Sequence, residues 1–542
     1  MVVKALLIYT NRKLKWIFVL IFLSFVVFII CIRRGSLFEI EDKIIKYRNF
    51  EMYRNFSKTI DTTNSKTTVK PMKLKILKEI EDMKYVPDVA FGKRAFLTSE
   101  EVIMVPLVTT RNFLKNNELW LENLNISGEI KCQWGRRCPE YYTRGCIFTG
   151  FVAKFKSPMI KTHFLDKLTF PKEIYLRSLN SKKVFILPLL KSFKEKRTID
   201  TSYKHFLSVF VQPMYLMSDF HVIIQFFEYW ISQGATKIYI GRTSHTMEVD
   251  EIIRWYNESE WIEIEYIEWP KLPIIYRERN TLYNKYNQKF NPNLYTFQNE
   301  AILSIYDSML YIRSLKESKY VAVFDWDEIV MIHNFQNSTV SDFLRNEESL
   351  KEEIIGWSFE SRRMTIKNNY SINKLEDINF LSYESGSIDK KTFKRPAYQK
   401  NIYRLEKFSS FHVHLIQKTI NPKMIRYVDN KEAEIYHLRR IPDIEPKIGT
   451  IRTDALKYPS QLWTQNFKLR LQLKPSILEK KTWNNYFNKI ARNLENCRQQ
   501  TFKENFSHKY KLCVSIDACS NYLKLDDDIE WIHSTDKWFT FE

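Results

Sequence analysis

Asp325, Asp327 and Glu328 crowd into four positions directly after the apolar run Val321 to Phe324. Carboxylates at this spacing suit a hard divalent cation, which takes oxygen ligands and keeps open positions for substrate phosphates. The β-branched and aromatic make-up of the run is that of a buried strand, and open α/β sheets place their ligands where strands end. A D-x-D on its own also arises by chance in a long chain, as part of a solvated loop. The elements around it decide between the two.

From residue 205 the chain alternates strand and helix. Phe206 to Val211 is a strand candidate that ends at Gln212, Pro213, Met214 and Tyr215. Phe220, Ile223, Ile224, Phe227 and Ile231 recur at helical spacing, with Gly234 as a stop. Lys237 to Ile240 predicts a second strand closed by Gly241. Val249 to Tyr256 predicts a second helix and Trp261 to Ile267 a third strand. A loop rich in Tyr, Asn and Pro is expected over 270–296. Gln298 then opens a long helix with Ala301, Ile302, Ile305, Met309 and Ile312 on one face, which delivers the chain to Tyr320 and the acidic strand end. This order predicts an α/β domain with a mostly parallel sheet and helices on its faces. Neither G-x-G-x-x-G nor G-x-x-x-x-G-K-[ST] occurs, which argues against a dehydrogenase or a P-loop enzyme.

A chain of 542 residues holds one large core and a second unit, and 44% apolar content with only 11 Gly and 17 Pro excludes collagen-like and generally disordered classes. Lys plus Arg number 84 against 63 acidic residues, a net charge of +21. Such a balance suits an anionic partner. The excess is spread along the chain, and neither zinc-finger spacing nor an aromatic RNA-recognition signature accompanies it, so nucleic acid is not the expected partner.

Trp16 to Ile32 is a 17-residue uncharged stretch between Arg12, Lys13, Lys15 and Arg33, Arg34. At about 1.5 Å per residue it spans roughly 26 Å, the thickness of a thin early-secretory bilayer. No small-residue cleavage pattern follows it, which favours a retained signal anchor over a cleaved signal peptide. Downstream, Cys132, Cys138 and Cys146 form one cluster and Cys497, Cys513 and Cys519 another. An even number beyond an anchor fits disulfides in an oxidising lumen, with fifteen connectivities open; a zinc site fits less well, because no C-x2-C pair occurs. N-x-S/T sites at Asn55, Asn125, Asn257, Asn337, Asn369 and Asn505 agree with lumenal exposure. The expected divisions are a cytosolic tail 1–15, a transmembrane signal anchor 16–32, a stem 33–95, a small β-rich domain 96–204, a catalytic domain 205–445 and a helical or irregular extension 446–542.

Val211 to Tyr215, Glu228 with Tyr229, Gly234 to Tyr239, Gln298 to Ala301 with Asp307, Phe324 to Glu328, Lys400 with Arg404, Phe411 to His414 and Tyr436 to Arg439 follow one another in order over 205–445. The succession resembles glycosyltransferase family 92, metal-dependent inverting enzymes whose members transfer galactose to glycans. Ser308 and Trp326 stand where that family usually has Cys and an aliphatic residue, which bears on subfamily and acceptor more than on reaction class. The resemblance implies a GT-A-type nucleotide-sugar-binding fold, Mn²⁺ or another divalent cation, and a UDP-sugar donor. It further implies transfer of a hexose, galactose from UDP-galactose, to a glycan acceptor by a single-pass type II membrane glycoprotein of the Golgi.

Carried over by position, Asp325 and Asp327 are the metal site, Asp327 the direct ligand, and Glu328 orients its neighbours. A later His often completes such sites, with His437 the first choice and His414 the second. Arg439, Arg440, Lys400 and Arg404 are diphosphate candidates, and Tyr215 a uracil contact. Inversion needs a general base, for which Glu360 is the candidate and Glu384 the alternative. The rivals are a non-catalytic lumenal carbohydrate-binding protein that keeps the fold, a two-metal nuclease, which a lumenal location disfavours, and a retaining sugar transferase.

Overall fold

Val209, Val211, Tyr320, Ala322 and Phe324 pack on one face of a central sheet, and Phe210, Val321 and Val323 on the other. A strand buried on both faces reads as a continuous apolar run, because each pleat direction meets a core. In this computed structural model the sheet has seven strands in the order Glu263–Glu268, Lys237–Arg242, His205–Met214, Ser318–Phe324, Lys400–Arg404, Gly356–Phe359 and Ile425–Tyr427. The first four run parallel. Lys400–Arg404 is antiparallel to both of its neighbours, so six strands share one direction and the expected mostly parallel α/β sheet is present.

The structure describes residues 87–541 except 117, 133–145, 166–169, 179–183, 194–201, 282–283, 334–337, 351–352, 368–372, 394–397, 409, 413, 415, 417–423, 442–448, 481, 495, 497–512 and 514–528. These residues fall within one compact unit, Leu74–Glu542. The expected tail, anchor and most of the stem lie outside them, as do Cys31, Cys138, Cys497, Cys519 and the sequons at Asn55, Asn337, Asn369 and Asn505. Among the described residues no helix is long and apolar enough to cross a membrane.

Helices cover the sheet where the apolar spacing placed them. Phe220–Ser232 is capped by Asp219, whose side chain accepts from Val222 N. Gly234 follows with φ +82°, and a Cβ there would meet Ser341 Oγ at 2.6 Å, so the helix stop is also a packing contact. Met247–Glu258 and Lys457–Leu473 lie on the same face, and Ala301–Leu315 lies on the opposite one. The last helix begins at Ala301, three residues after the expected Gln298, because Gln298 and Glu300 adopt φ of 41° and 58°. The expected loop over 270–296 holds a hairpin, Ile275–Thr281 with Asn284–Phe290. Its sequence has neither an apolar alternation nor a Gly or Asn turn pair, which removes the usual hairpin signal.

A second sheet, of five strands, runs Glu328–Ile332, Ala433–Ile441, Ser361–Lys367, Gly386–Asp389 and Thr450–Thr453. The chain crosses from the seven-stranded to the five-stranded sheet three times, at 325–327, at Glu360 and at 428–432. The β-rich N-terminal region forms a nine-stranded sheet, and pairing of Ala95–Ser99 with Val102–Thr110 closes seven of those strands into a barrel. The C-terminal stretch, expected as a helical or irregular extension, holds the helix Lys457–Leu473 and adds short strands to three sheets. It supplies Thr450–Thr453 to the five-stranded sheet, Trp531–His533 to Ser244–Thr246 and Phe539–Phe541 to Ala90–Gly92. Strands of three or four residues are too short for periodicity to reveal. A disulfide joins Cys146 to Cys513, one cysteine from each cluster, and Cys132 is also disulfide-bonded.

Candidate active site

Trp326 sets the geometry of the acidic strand end. Its ring is 8% exposed and lies 4.8 Å from that of Phe226. Burying an aromatic of this size contributes about 2–3 kcal/mol, and that anchors the middle of the motif in the core. Asp325 and Asp327, one residue to either side, stay partly exposed. The turn is fixed by Glu328 N donating to Asp325 O at 3.2 Å and Leu438 N to Asp327 O at 2.7 Å.

The two aspartates have different partners. Asp325 Oδ2 lies 2.7 Å from Lys400 Nζ, and Glu328 Oε2 lies 3.2 Å from the same ammonium. Asp325 N also donates to Glu328 Oε2 at 3.1 Å. Burial alone would lower the Lys400 ammonium, but Asp325 and Glu328 raise it above the usual lysine range. Burial raises Glu328 against the pull of Lys400, with Asp325 adding to the rise. Lys400, with no exposed surface, is therefore a fixed internal cation, and the structure does not present it to a diphosphate.

Asp327 Oδ2 instead meets His437 Nε2 at 3.2 Å and accepts from Arg439 Nη1 at 2.7 Å. His437 pairs in register with Glu328 across the sheet, and strand alternation puts Arg439 on the face of His437. Burial would raise Asp327, but the imidazole of His437 and the guanidinium of Arg439 hold its carboxyl well below the usual range. Two adjacent ligands of an octahedral ion at about 2.1 Å lie about 3.0 Å apart. The Asp327 Oδ2 to His437 Nε2 separation of 3.2 Å fits such an edge, and a carboxylate with a neutral imidazole suits Mn²⁺. Arg439, 43% exposed, reaches from this edge to solvent.

The other candidates divide. His414 Nδ1 donates to Gln399 O at 3.1 Å, and burial, with Lys400 close by, lowers it to about 4. Its charged neighbours are Lys400, Asp325 and His437. Arg440 alternates to the opposite face, where it is buried in an ion pair with Asp219 and its guanidinium lies 5.2 Å from the Phe487 ring; it is not a surface cation. Arg404 is displaced altogether. Its strand runs antiparallel to Ser318–Phe324, so Arg404 pairs with Tyr320 at the far end of the sheet, about 13 Å along the strand from Lys400.

Tyr215 follows the strand His205–Met214 at the site end of the sheet and packs with Leu216, Ile490 and Trp531. Glu360 lies at the second crossing between the sheets. Its Oε2 accepts from Thr392 Oγ1 at 2.8 Å and Asn430 Nδ2 at 3.4 Å. Glu384 Oε1 accepts from Gln461 Nε2 at 2.8 Å. Sequence reasoning missed Arg363 and Thr365, which pair in register with His437 and Arg439 and so share their sheet face. The basic pair Arg362 and Arg363, two and three residues after Glu360, was the available signal.

A carboxylate–imidazole edge beside a solvent-facing guanidinium, at the end of a parallel strand, has the ligand types that a divalent cation and an anionic group require. The family model for glycosyltransferase family 92 matches residues 205–494, more than half of the chain. The chain belongs to glycosyltransferase family 92 and is a glycosyltransferase. No curated protein matches it. Among solved structures, the amylomaltase from Corynebacterium glutamicum aligns at 13% identity over 30% of this chain and 22% of that one, with a TM-score of 0.10, and a likeness of that size carries no argument about fold or function.

Proposed function

We propose that the chain has a GT-A-type nucleotide-sugar fold and transfers galactose from UDP-galactose to a glycan acceptor with inversion, assisted by Mn²⁺. The observation that supports this best is the grouping of Asp327, His437 and Arg439 on one open face. Asp327 and His437 would hold the ion, which supplies Lewis-acid stabilisation of the departing diphosphate. Arg439 leaves Asp327 to hydrogen-bond that diphosphate, and Tyr215 faces the uracil. Lys400 holds Asp325 and Glu328 in place, so the motif keeps its shape when the site loads. Glu360 accepts the acceptor hydroxyl proton while the hydroxyl oxygen bonds to the anomeric carbon and the bond from that carbon to the diphosphate breaks. The sequence supports placement as a Golgi type II protein, with the anchor at 16–32, and the Cys146–Cys513 disulfide agrees with an oxidising lumen.

The test is release of UDP by the full chain from a panel of UDP-sugars with Mn²⁺. UDP-galactose should be consumed, EDTA should stop it, and Asp327→Asn should weaken it at a fixed Mn²⁺ concentration. Turnover indifferent to EDTA would sink the metal assignment. No release from any UDP-sugar, alongside retained glycan binding, would instead favour a carbohydrate-binding protein.

A further inference from the structure

The end of the sheet opposite the acidic motif carries a cluster that sugar transfer does not use. His205 opens its strand, Glu263 opens another, and Glu317 immediately precedes Ser318–Phe324. One ligand atom from each lies within 4.8 Å of the others. His205 is 4% exposed. Its Nδ1 lies 2.9 Å from Thr236 Oγ1. Its buried Nε2 makes no hydrogen bond, although Glu263 Oε2 lies 3.2 Å away. The Nδ1 contact to Thr236 fixes the ring, as an outer partner does for a metal-ligating His, and leaves the buried Nε2 facing the Glu263 carboxylate.

We propose that His205, Glu263 and Glu317 form a second divalent-cation site, for a borderline ion of the Zn²⁺ class, at this end of the sheet. One imidazole and two carboxylates make a three-ligand zinc set with an open position. Glu263 and Glu317, each 36% exposed at the side chain, give the ion an entry path. The negative charge is met by lysines. Lys237 Nζ lies 2.8 Å from Glu263 Oε1, 2.7 Å from Glu265 Oε2 and 3.1 Å from Glu317 Oε2. The exposed Lys204 lies 2.6 Å from Glu263 Oε2. The ion takes Glu263 Oε2, Glu317 and His205 Nε2, and Lys204 withdraws to solvent. Lys237 gives up its longest contact, to Glu317, and keeps Glu265 and Glu263 Oε1. Such an ion would tie together the starts of three parallel strands, about 26 Å along the strand from the acidic motif.

The test is zinc binding by the full chain carrying Asp327→Ala, which removes the active-site edge. Equilibrium dialysis against ZnCl₂ with elemental analysis should give one ion per chain. His205→Gln with Glu317→Gln should abolish this, and Thr236→Val, which touches only the ring's outer nitrogen, should weaken it about 10- to 100-fold. Lys237→Met should tighten zinc binding by removing the competing ammonium, and ZnCl₂ should raise its Tm more than that of the parent. Circular dichroism separates loss of the site from loss of the fold. The proposal is overturned if the parent binds no zinc, or if folded His205→Gln/Glu317→Gln and Lys237→Met chains bind it as the parent does.

Discussion

Lys400 Nζ sits 2.7 Å from Asp325 Oδ2, with no surface exposed to solvent, so one aspartate of the motif is matched to a lysine 75 residues further along. The ammonium holds Asp325 and Glu328 together from inside the sheet. Replacing it should therefore expose their mutual repulsion. Lys400→Met should destabilise the protein by about 3–5 kcal/mol, the usual cost of breaking one side of a buried pair. The measurement is the urea midpoint. Adding Glu328→Gln should recover part of the loss; a double variant no more stable than the single one would show that the lysine's role is packing alone.

Asp325 and Asp327 should then respond differently to metal. Asp327→Asn removes a ligand and should raise the Mn²⁺ concentration for half-maximal UDP release at least about tenfold. Asp325→Asn disturbs Lys400 and should lower turnover, with the Mn²⁺ requirement kept within about threefold, a difference below 1 kcal/mol. Equal shifts in the Mn²⁺ requirement would place both carboxylates on the ion.

That asymmetry was not legible in the sequence, although much of the frame was. The main strands and helices from His205 to Phe324, the hairpin apart, follow from apolar spacing because each packs a face against one of two cores. The pairing of Asp327 with His437 was reachable, since a strand ending in carboxylates invites a later imidazole. Lys400 and Arg404 looked equivalent because spacing along a chain does not say which way a strand runs. Antiparallel entry of Lys400–Arg404 buries the first under Asp325 and sends the second to the far end. Arg440 looked like Arg439 for a similar reason, and β alternation turned it inward to Asp219. The hairpin Ile275–Phe290 and the short C-terminal strands were hidden because neither carries an apolar period.

Arg404 and Arg439 should separate in kinetics. Arg439 is the half-exposed cation on Asp327, and Arg439→Ala should lower kcat/KM at least tenfold, about the 1.5–3 kcal/mol of a hydrogen bond to a charged group. Arg404→Ala should leave kcat/KM within about twofold, under 0.5 kcal/mol. A large loss from Arg404→Ala would mean that the far end of the sheet takes part in donor binding.

Acid should weaken the fold through His221. This ring is 5% exposed, with Asp219 and Arg440 as its charged neighbours, and burial lowers it from 6.5 to about 4 despite Asp219. Between those values the unfolded chain binds a proton that the folded chain refuses. Stability from this group is thus complete above pH 6.5 and declines as pH falls toward 4, by about 3 kcal/mol in all. His205, His412 and His414 are lowered as well and add to the same slope, whereas the depressed Asp327 acts only below the ordinary carboxylate range. The informative quantity is therefore a difference. Urea midpoints at pH 7 and pH 4.5 should converge in His221→Phe by about the share assigned to this ring. An unchanged difference between the two pH values would show that His221 is already protonated in the folded protein, held by Asp219.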